Sequence, residues 1–421
     1  MDNNFQPSST TSPGTAFHAP QVRLVTEDGS AAMLKGKPIS PDIISCKMIL
    51  PNSGIGTVEI VLNNQRHDDA NRPVVPSWRY NGLGEVSFGK RFRVDMRYGA
   101  EGWTPMILAR VTDMSFAFPQ AAGATVTLKG DDLVSLLRVS PDEPMIYIDY
   151  HEVDMVSDVL QSSSSGMTMA NPPEPEFSTP MEGVTRKQTV TYLKFIEEFA
   201  ERMDYEIFAS FDDPKPGPSG RNPSSADPRP VSFHFETSRS ATLDAKVPLQ
   251  WGRDIVEFTP AFTVWDILTK VTARGSVPRE RGTIEAEATL DGVINDLHAA
   301  PGGSAPLAAG AARTAAFGDE THPEENATTL AVTDLDAERA ALAAAAKLRA
   351  SARKFLTADV TTIGFTKLRP GIHVDLTGFS APFDGIWYVT RTVHTLNASG
   401  YLTVSSLRRP GMLDPSGYPG A

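Results

Sequence analysis

The stretch Lys90-Arg91-Phe92-Arg93-Val94-Asp95-Met96-Arg97 alternates charged and apolar side chains without a break. That order suits an extended strand with one face against a core. It predicts Phe92, Val94 and Met96 inward and Arg91, Arg93, Asp95 and Arg97 outward. The same period recurs at Val22 and Leu24, over Thr57–Leu62, Met106–Thr112 and Ala124–Lys129, with turn formers such as Pro119 and Gly123 between runs. Six or so short strands over 21–140 predict a β-barrel or sandwich, closed by a short helix over 131–137 with acidic residues at its positive end.

The period then changes. Val153, Val156, Val159 and Leu160 fit one helix face, and Tyr192, Phe195, Ile196, Phe199 and Met203 fit another. Residues 141–230 therefore read as an α/β insert with Pro/Ser-rich loops over 162–180 and 211–230. Strand character returns at Val231–Phe235, Leu249–Gly252 and Ile267–Gly275, the last also readable as helix. Residues 276–333, rich in Ala, Gly, Pro, Glu and Thr, read as a mobile insertion. A helix is expected over 334–356, with Leu335, Leu342, Leu348 and Phe355 about seven apart, a spacing that suits packing on a sheet better than an oligomer seam. Strands and turns resume over 361–408, so 231–409 reads as a second β-barrel domain. Residues 1–20 read as a flexible arm and 410–421 as a tail. The fold class is α+β, mainly β: two tube-like antiparallel barrels with a helix-containing insert between them.

Chemistry is sparse. Lys plus Arg number 39 against 51 Asp plus Glu, a net charge of −12, which disfavours coating a polyanion in the absence of a segregated basic patch. The single cysteine, Cys46, cannot form an intrachain disulfide and reads as a buried strand residue. Neither a secretory signal nor an apolar run of about 18 residues occurs, so the product is expected to be soluble and made in the cytosol. The eight histidines show no zinc spacing; His67-Asp68-Asp69 is the densest metal candidate and sits in a polar run. His151-Glu152 reads as a solvated helix cap and His394 as a satisfied sheet histidine. A nucleophile elbow is lacking, Gly54-Ile55-Gly56 is a fragment without strand-turn-helix context, and nothing singles out a carboxylate pair. Assembly is favoured over catalysis, with no catalytic residue, cofactor or metal assigned.

Two sets of segments resemble a known family. Phe88-Gly89-Lys90-Arg91-Phe92-Arg93-Val94, Ile107–Asp113 and Val126–Leu133 are similar to the first barrel of the phage late control D proteins, tail hubs related to the N-terminal part of VgrG spikes. Ala340–Phe355, Thr362-Ile363-Gly364, Leu368-Arg369-Pro370-Gly371, Val374–Gly378, Phe383–Thr390, Val393-His394 and Gly400–Arg409 follow that family's C-terminal pattern in order, and Phe199-Ala200-Glu201-Arg202 resembles the helix ahead of its second barrel. The resemblance implies a non-enzymatic homotrimeric baseplate hub joining a hexameric tail tube to a trimeric spike in a contractile tail or injection particle assembled in the bacterial cytoplasm. Implied partners are tube or tube-initiator protein, a separate spike, a LysM-type adaptor and baseplate wedge proteins. Candidate interface residues are Arg91, Arg93, Asp95, Arg97, Trp387 and Thr390. The alternatives are a tail-associated cell-wall hydrolase and a β-rich adhesin or glycan-binding module.

Overall fold

The computed structural model describes residues 20–412, less short stretches and the longer segments 212–229, 238–245, 294–306 and 309–325. The expected arm falls almost wholly outside the described residues, as does most of the tail. Twelve strands form one sheet, numbered here in chain order. The first six are β1 (Pro20–Val25), β2 (Ile43–Pro51), β3 (Thr57–Asn63), β4 (Arg91–Tyr98), β5 (Thr104–Ala117) and β6 (Thr125–Asp132). The last six are β7 (Lys246–Gln250), β8 (Ile255–Phe262), β9 (Leu356–Ile363), β10 (His373–Thr377), β11 (Gly385–Asn397) and β12 (Gly400–Arg409).

Their hydrogen-bonded order is β1-β4-β5-β6-β3-β2 in the first half and β7-β10-β11-β12-β9-β8 in the second. Renumbered from one, the second half reads 1-4-5-6-3-2, the order of the first. The halves join where β2 lies antiparallel to the distal part of β11, His394 opposite Met48. All these ladders are antiparallel except β7 with β10, which is parallel. Two closed barrels are not seen, because the described strands form a continuous sheet that does not close. An isolated bridge, Trp251 to Ile255, is what links β7 to β8.

The insert holds helices α1 (Glu152–Ser162) and α2 (Tyr192–Met203), with α3 (Ala337–Ala352) packed against α2. Thr191 caps α2 by accepting from Lys194 N–H, and Asp204 ends it at φ 59°. Asp336 caps α3 through Arg339 N–H. Leu335, Leu348 and Phe355 are buried within the chain, so the sevenfold spacing serves packing. The expected mobile insertion is partly ordered: Gly282–Thr289 and Ala327–Thr333 flank Lys270–Val277 in a three-stranded sheet against α3. The ambiguous segment at 267–275 is a strand from Lys270 onward.

The expected helix over 131–137 is a 3-10 turn, Leu133–Arg138, capped by the Asp132 carboxylate. Burial pushes that carboxyl up to about 7, against the opposing pull of the Gly56 and Val134 N–H donors. Cys46 is buried in β2 and its thiol is pushed up to about 12 by burial. Two apolar clusters divide the molecule. One is built mainly from the first six strands and takes in Tyr401 of β12, whereas the other joins the second half to the helices and takes in Leu108 of β5.

Candidate assembly interface

Matching the halves by topology aligns four of their irregularities, while the skipped Met106 in the β4–β5 ladder has no counterpart between β10 and β11. Thr112 is the extra residue where β5 meets β6, and Thr390 is the extra residue where β11 meets β12. Ile44 bulges from β2 and Val256 from β8 at corresponding rungs. Bulges re-aim strands and fix register, so four matched bulges define a residue-by-residue correspondence. Gly89, at φ 78°, donates to the carbonyl of Val111 at 2.9 Å, and Gly371, at φ 84°, donates to that of Val389 at 2.9 Å. Both carbonyls belong to the residue before the bulged threonine. The left-handed φ suits glycine at both positions.

The correspondence exposes an asymmetry in what each long strand touches. In β11 the proximal residues pair with β10 and the distal residues, Arg391–Leu396, pair with β2 on the same side. In β5 the proximal residues pair with β4 on that side, but no described strand follows along 113–117. Likewise β8, the counterpart of β2, ends the sheet. The other two ends are covered locally. Leu24 of β1 receives Ser40 Oγ at its N–H and Ala32 N–H at its carbonyl. Gln250 of β7 donates to Asp254 Oδ2 and accepts Asp254 N–H.

Exposed apolar side chains gather at the uncovered edges. Phe88 is 60% exposed and Phe118 50% near β5, while Val256, Phe262 and Trp265 are 56%, 44% and 73% exposed in and after β8. Phe118 also meets the rings of Trp78 and Phe116 at 5.0 and 6.4 Å. Apolar patches of this kind mark interaction surfaces.

Of the six residues expected at an interface, Arg93 and Asp95 meet in an ion pair. Thr390 lies at the seam, its carbonyl accepting from Asn52 N–H at 2.8 Å. Arg91 reaches Glu27 at 3.3 Å, and Arg97 stacks over Trp103 at 4.3 Å while donating to Gln21. Arg93 and Asp95 are buried, contrary to the outward reading of their face: Arg93 forks onto Asp95 at 2.7 and 2.9 Å and Arg23 adds a contact at 2.8 Å. Trp387 is also buried, donating through Nε1 to Phe383 carbonyl at 2.9 Å. Glu152 is no solvated cap residue, because it is buried and paired with Arg339 at 2.6 Å. His394 is satisfied as expected, donating from Nε2 to Leu368 carbonyl and accepting Tyr401 O–H at Nδ1; burial and nearby Arg369 pull it down to about 3. Asp68 and Asp69 lie outside the described residues, and among the described residues no group of His, Cys, Asp and Glu could hold a metal.

Comparison with known proteins gives fold and no family model: no family model matches the chain, and no curated protein does. Among solved structures, a tail protein from Neisseria meningitidis MC58 superposes with TM-score 0.59 at 12% identity, covering 96% of this chain and 99% of that one. The 43 kDa tail protein of prophage MuSo2 from Shewanella oneidensis gives 0.59 at 14%, covering 94% and 100%. The chain has the fold of phage tail proteins. A chain of the half-lidded Francisella PdpA–VgrG complex adds 0.52 at 7% identity, with 95% of this chain matched to 59% of that one. The resemblance read from the sequence to tail hubs and VgrG is thus met at the level of fold. None of the individual residues at the open edges was singled out by sequence, although the shared Val-Thr of 111–112 and 389–390 was a signal available there.

Proposed function

We propose that this chain is a baseplate hub: a homotrimeric adaptor that joins a sixfold tail tube to a threefold spike in a contractile tail or injection particle. The observation that carries the reading is the duplicated 1-4-5-6-3-2 strand order, with its matched bulges and glycines. Three chains with two equivalent modules each supply six modules around an axis, so a threefold body can present a sixfold face. In this reading each half is one tube-like module, and the partners are tube protein, a separate spike, a LysM-type adaptor and wedge proteins. Solution mass of the chain, alone and mixed with its spike, tests it. A trimer is expected, and a strict monomer in both samples overturns the proposal.

A hydrolase is the second reading, and one constellation favours it. Ser210 Oγ and His234 Nε2 lie 2.7 Å apart, and His234 Nδ1 lies 3.3 Å from Glu236 Oε1, on neighbouring strands Tyr205–Phe211 and Val231–Thr237. That is the nucleophile–base–orienter arrangement of a serine hydrolase. Phe208 stacks on the imidazole at 4.4 Å, closing one face of the ring. Labelling by a fluorophosphonate probe, abolished by Ser210→Ala, would establish this reading; absence of labelling in the intact chain would remove it.

A further inference from the structure

We infer that the outer edge of β8 in one copy pairs antiparallel with residues 113–118 of β5 in the next, in the register set by the seam inside the chain. The inference rests on the trimeric reading and specifies the contact that would build it. The bulges equate Met48 with Pro260 and Leu50 with Phe262 along the edge strands, and Thr392 with Met114 and His394 with Phe116 along the long strands. The seam pairs Thr392 with Leu50 and His394 with Met48. Transferred across copies, Met114 faces Phe262, Phe116 faces Pro260 and Phe118 faces Phe258 on one face. Asp113 faces Thr263, Ser115 faces Ala261 and Ala117 faces Thr259 on the other.

The pattern is self-consistent at three levels. The first face is apolar on both strands and the second is small or polar, as a half-buried antiparallel pair requires. Backbone direction agrees too: Thr263 donates inward to Phe355 carbonyl, so the alternate residues Phe258, Pro260 and Phe262 aim their backbone groups outward. Pro260 lacks an N–H, so the rung opposite Phe116 forms without one donor. Thirdly, Trp265, just past β8, and Phe88, just before β4, are two strongly exposed aromatics. The contact is head to tail, and such a contact closes into a ring when its rotation allows.

Cysteine pairing reads the register directly. Ser115 and Ala261 would form a non-hydrogen-bonded pair, whose close side chains suit a disulfide, and the native Cys46 is buried. Mild oxidation of the full chain carrying Ser115→Cys and Ala261→Cys should yield reductant-sensitive covalent oligomers. The slipped pair Ser115→Cys with Thr259→Cys should yield at least tenfold less. Phe88→Ser with Trp265→Ser should weaken self-association at least tenfold without lowering the melting temperature of the separated chain. A trimer by mass that never links through 115 and 261, or that links equally through 115 and 259, overturns this register and leaves the trimeric reading standing. A monomer without covalent product under all conditions overturns both.

Discussion

The first six strands and the last six share one neighbour order, although β1 runs antiparallel to β4 and β7 parallel to β10, and the second set shares its apolar cluster with the helices. The first half's core borrows Tyr401 from β12 and has small residues at its crossing: Gly130 lies opposite Val111 beside Ala109. At the matching rungs the second half has Leu407 opposite Val389, beside Trp387. The bulkier pair reaches aromatic neighbours, Trp387 meeting the Phe258 ring at 5.8 Å. The helices above are tied down by buried charge. Asp204 holds both Arg349 and Arg353, Glu206 takes Arg408 and Tyr388, and Glu152 takes Arg339. One topology thus tolerates two quite different interiors, because ladders, bulges and turns set the path while side-chain volume sets what lies on it.

Substitutions can break this contrast, and the largest effect is expected at Asp204. Asp204→Ala withdraws one carboxylate from two buried guanidiniums and should cost about 3–5 kcal/mol in urea unfolding. Asp95→Ala in the first half, which strands buried Arg93 but leaves Arg23 partly solvated, should cost less. Trp387→Ala should cost about 3–5 kcal/mol by opening a cavity, whereas Ala109→Gly at the matching position should cost about 1 kcal/mol, both read by thermal melting. Gly130→Ala would bring a Cβ to 2.9 Å from Arg110 carbonyl, an overpacking worth about 1–3 kcal/mol. Equal costs at Trp387 and Ala109 would show that the two interiors do not differ as described.

Acidity offers a finer probe. The Asp132 carboxyl stands at about 7 when folded against an ordinary 3.8, so the folded chain holds this proton more tightly than the unfolded chain. Its contribution to stability is therefore greatest below about pH 4, declines as pH rises through about 7, and is level above that. Urea titrations from pH 5 to 8 should show the decline, and Asp132→Asn should flatten it. The matching position in the second half is Arg409, so no carboxyl stands there. The smallest effect is expected at the exposed cross-strand pair Lys129–Glu59, 3.6 Å apart, where Glu59→Ala should change stability by about 0.2–1 kcal/mol.

Local pattern made much of the architecture legible. Phe92, Val94 and Met96 point to the core as their alternation requires, and Tyr192–Met203 is the helix that its apolar stripe specifies. The opposite face of β4 was misread for a physical reason. Alternation signals one buried face but says nothing about the other, and here Arg93 forks onto Asp95 while Arg23, stacked on Trp103, adds a second contact to the same carboxylate. Two similar modules are expected from the sequence, but their residue-by-residue match was hidden, because pairing partners lie far apart in sequence and the matched residues differ: Met114 against Thr392, Phe116 against His394, Gly130 against Leu407. What the halves share is backbone geometry, carried by few identities such as Val-Thr and the two glycines. The charge pairs beneath the helices were likewise invisible, since Asp204 and Arg353 meet only after the chain has folded.

The seam between β2 and β11 also has a consequence for biosynthesis. Residues 46–51 leave the ribosome well before their partners, 391–396. At cellular elongation rates the outer border of β2 therefore waits on the order of tens of seconds for its neighbour. An unpaired strand border is a template for other chains, so during that interval a nascent copy is open to cross-pairing with its neighbours.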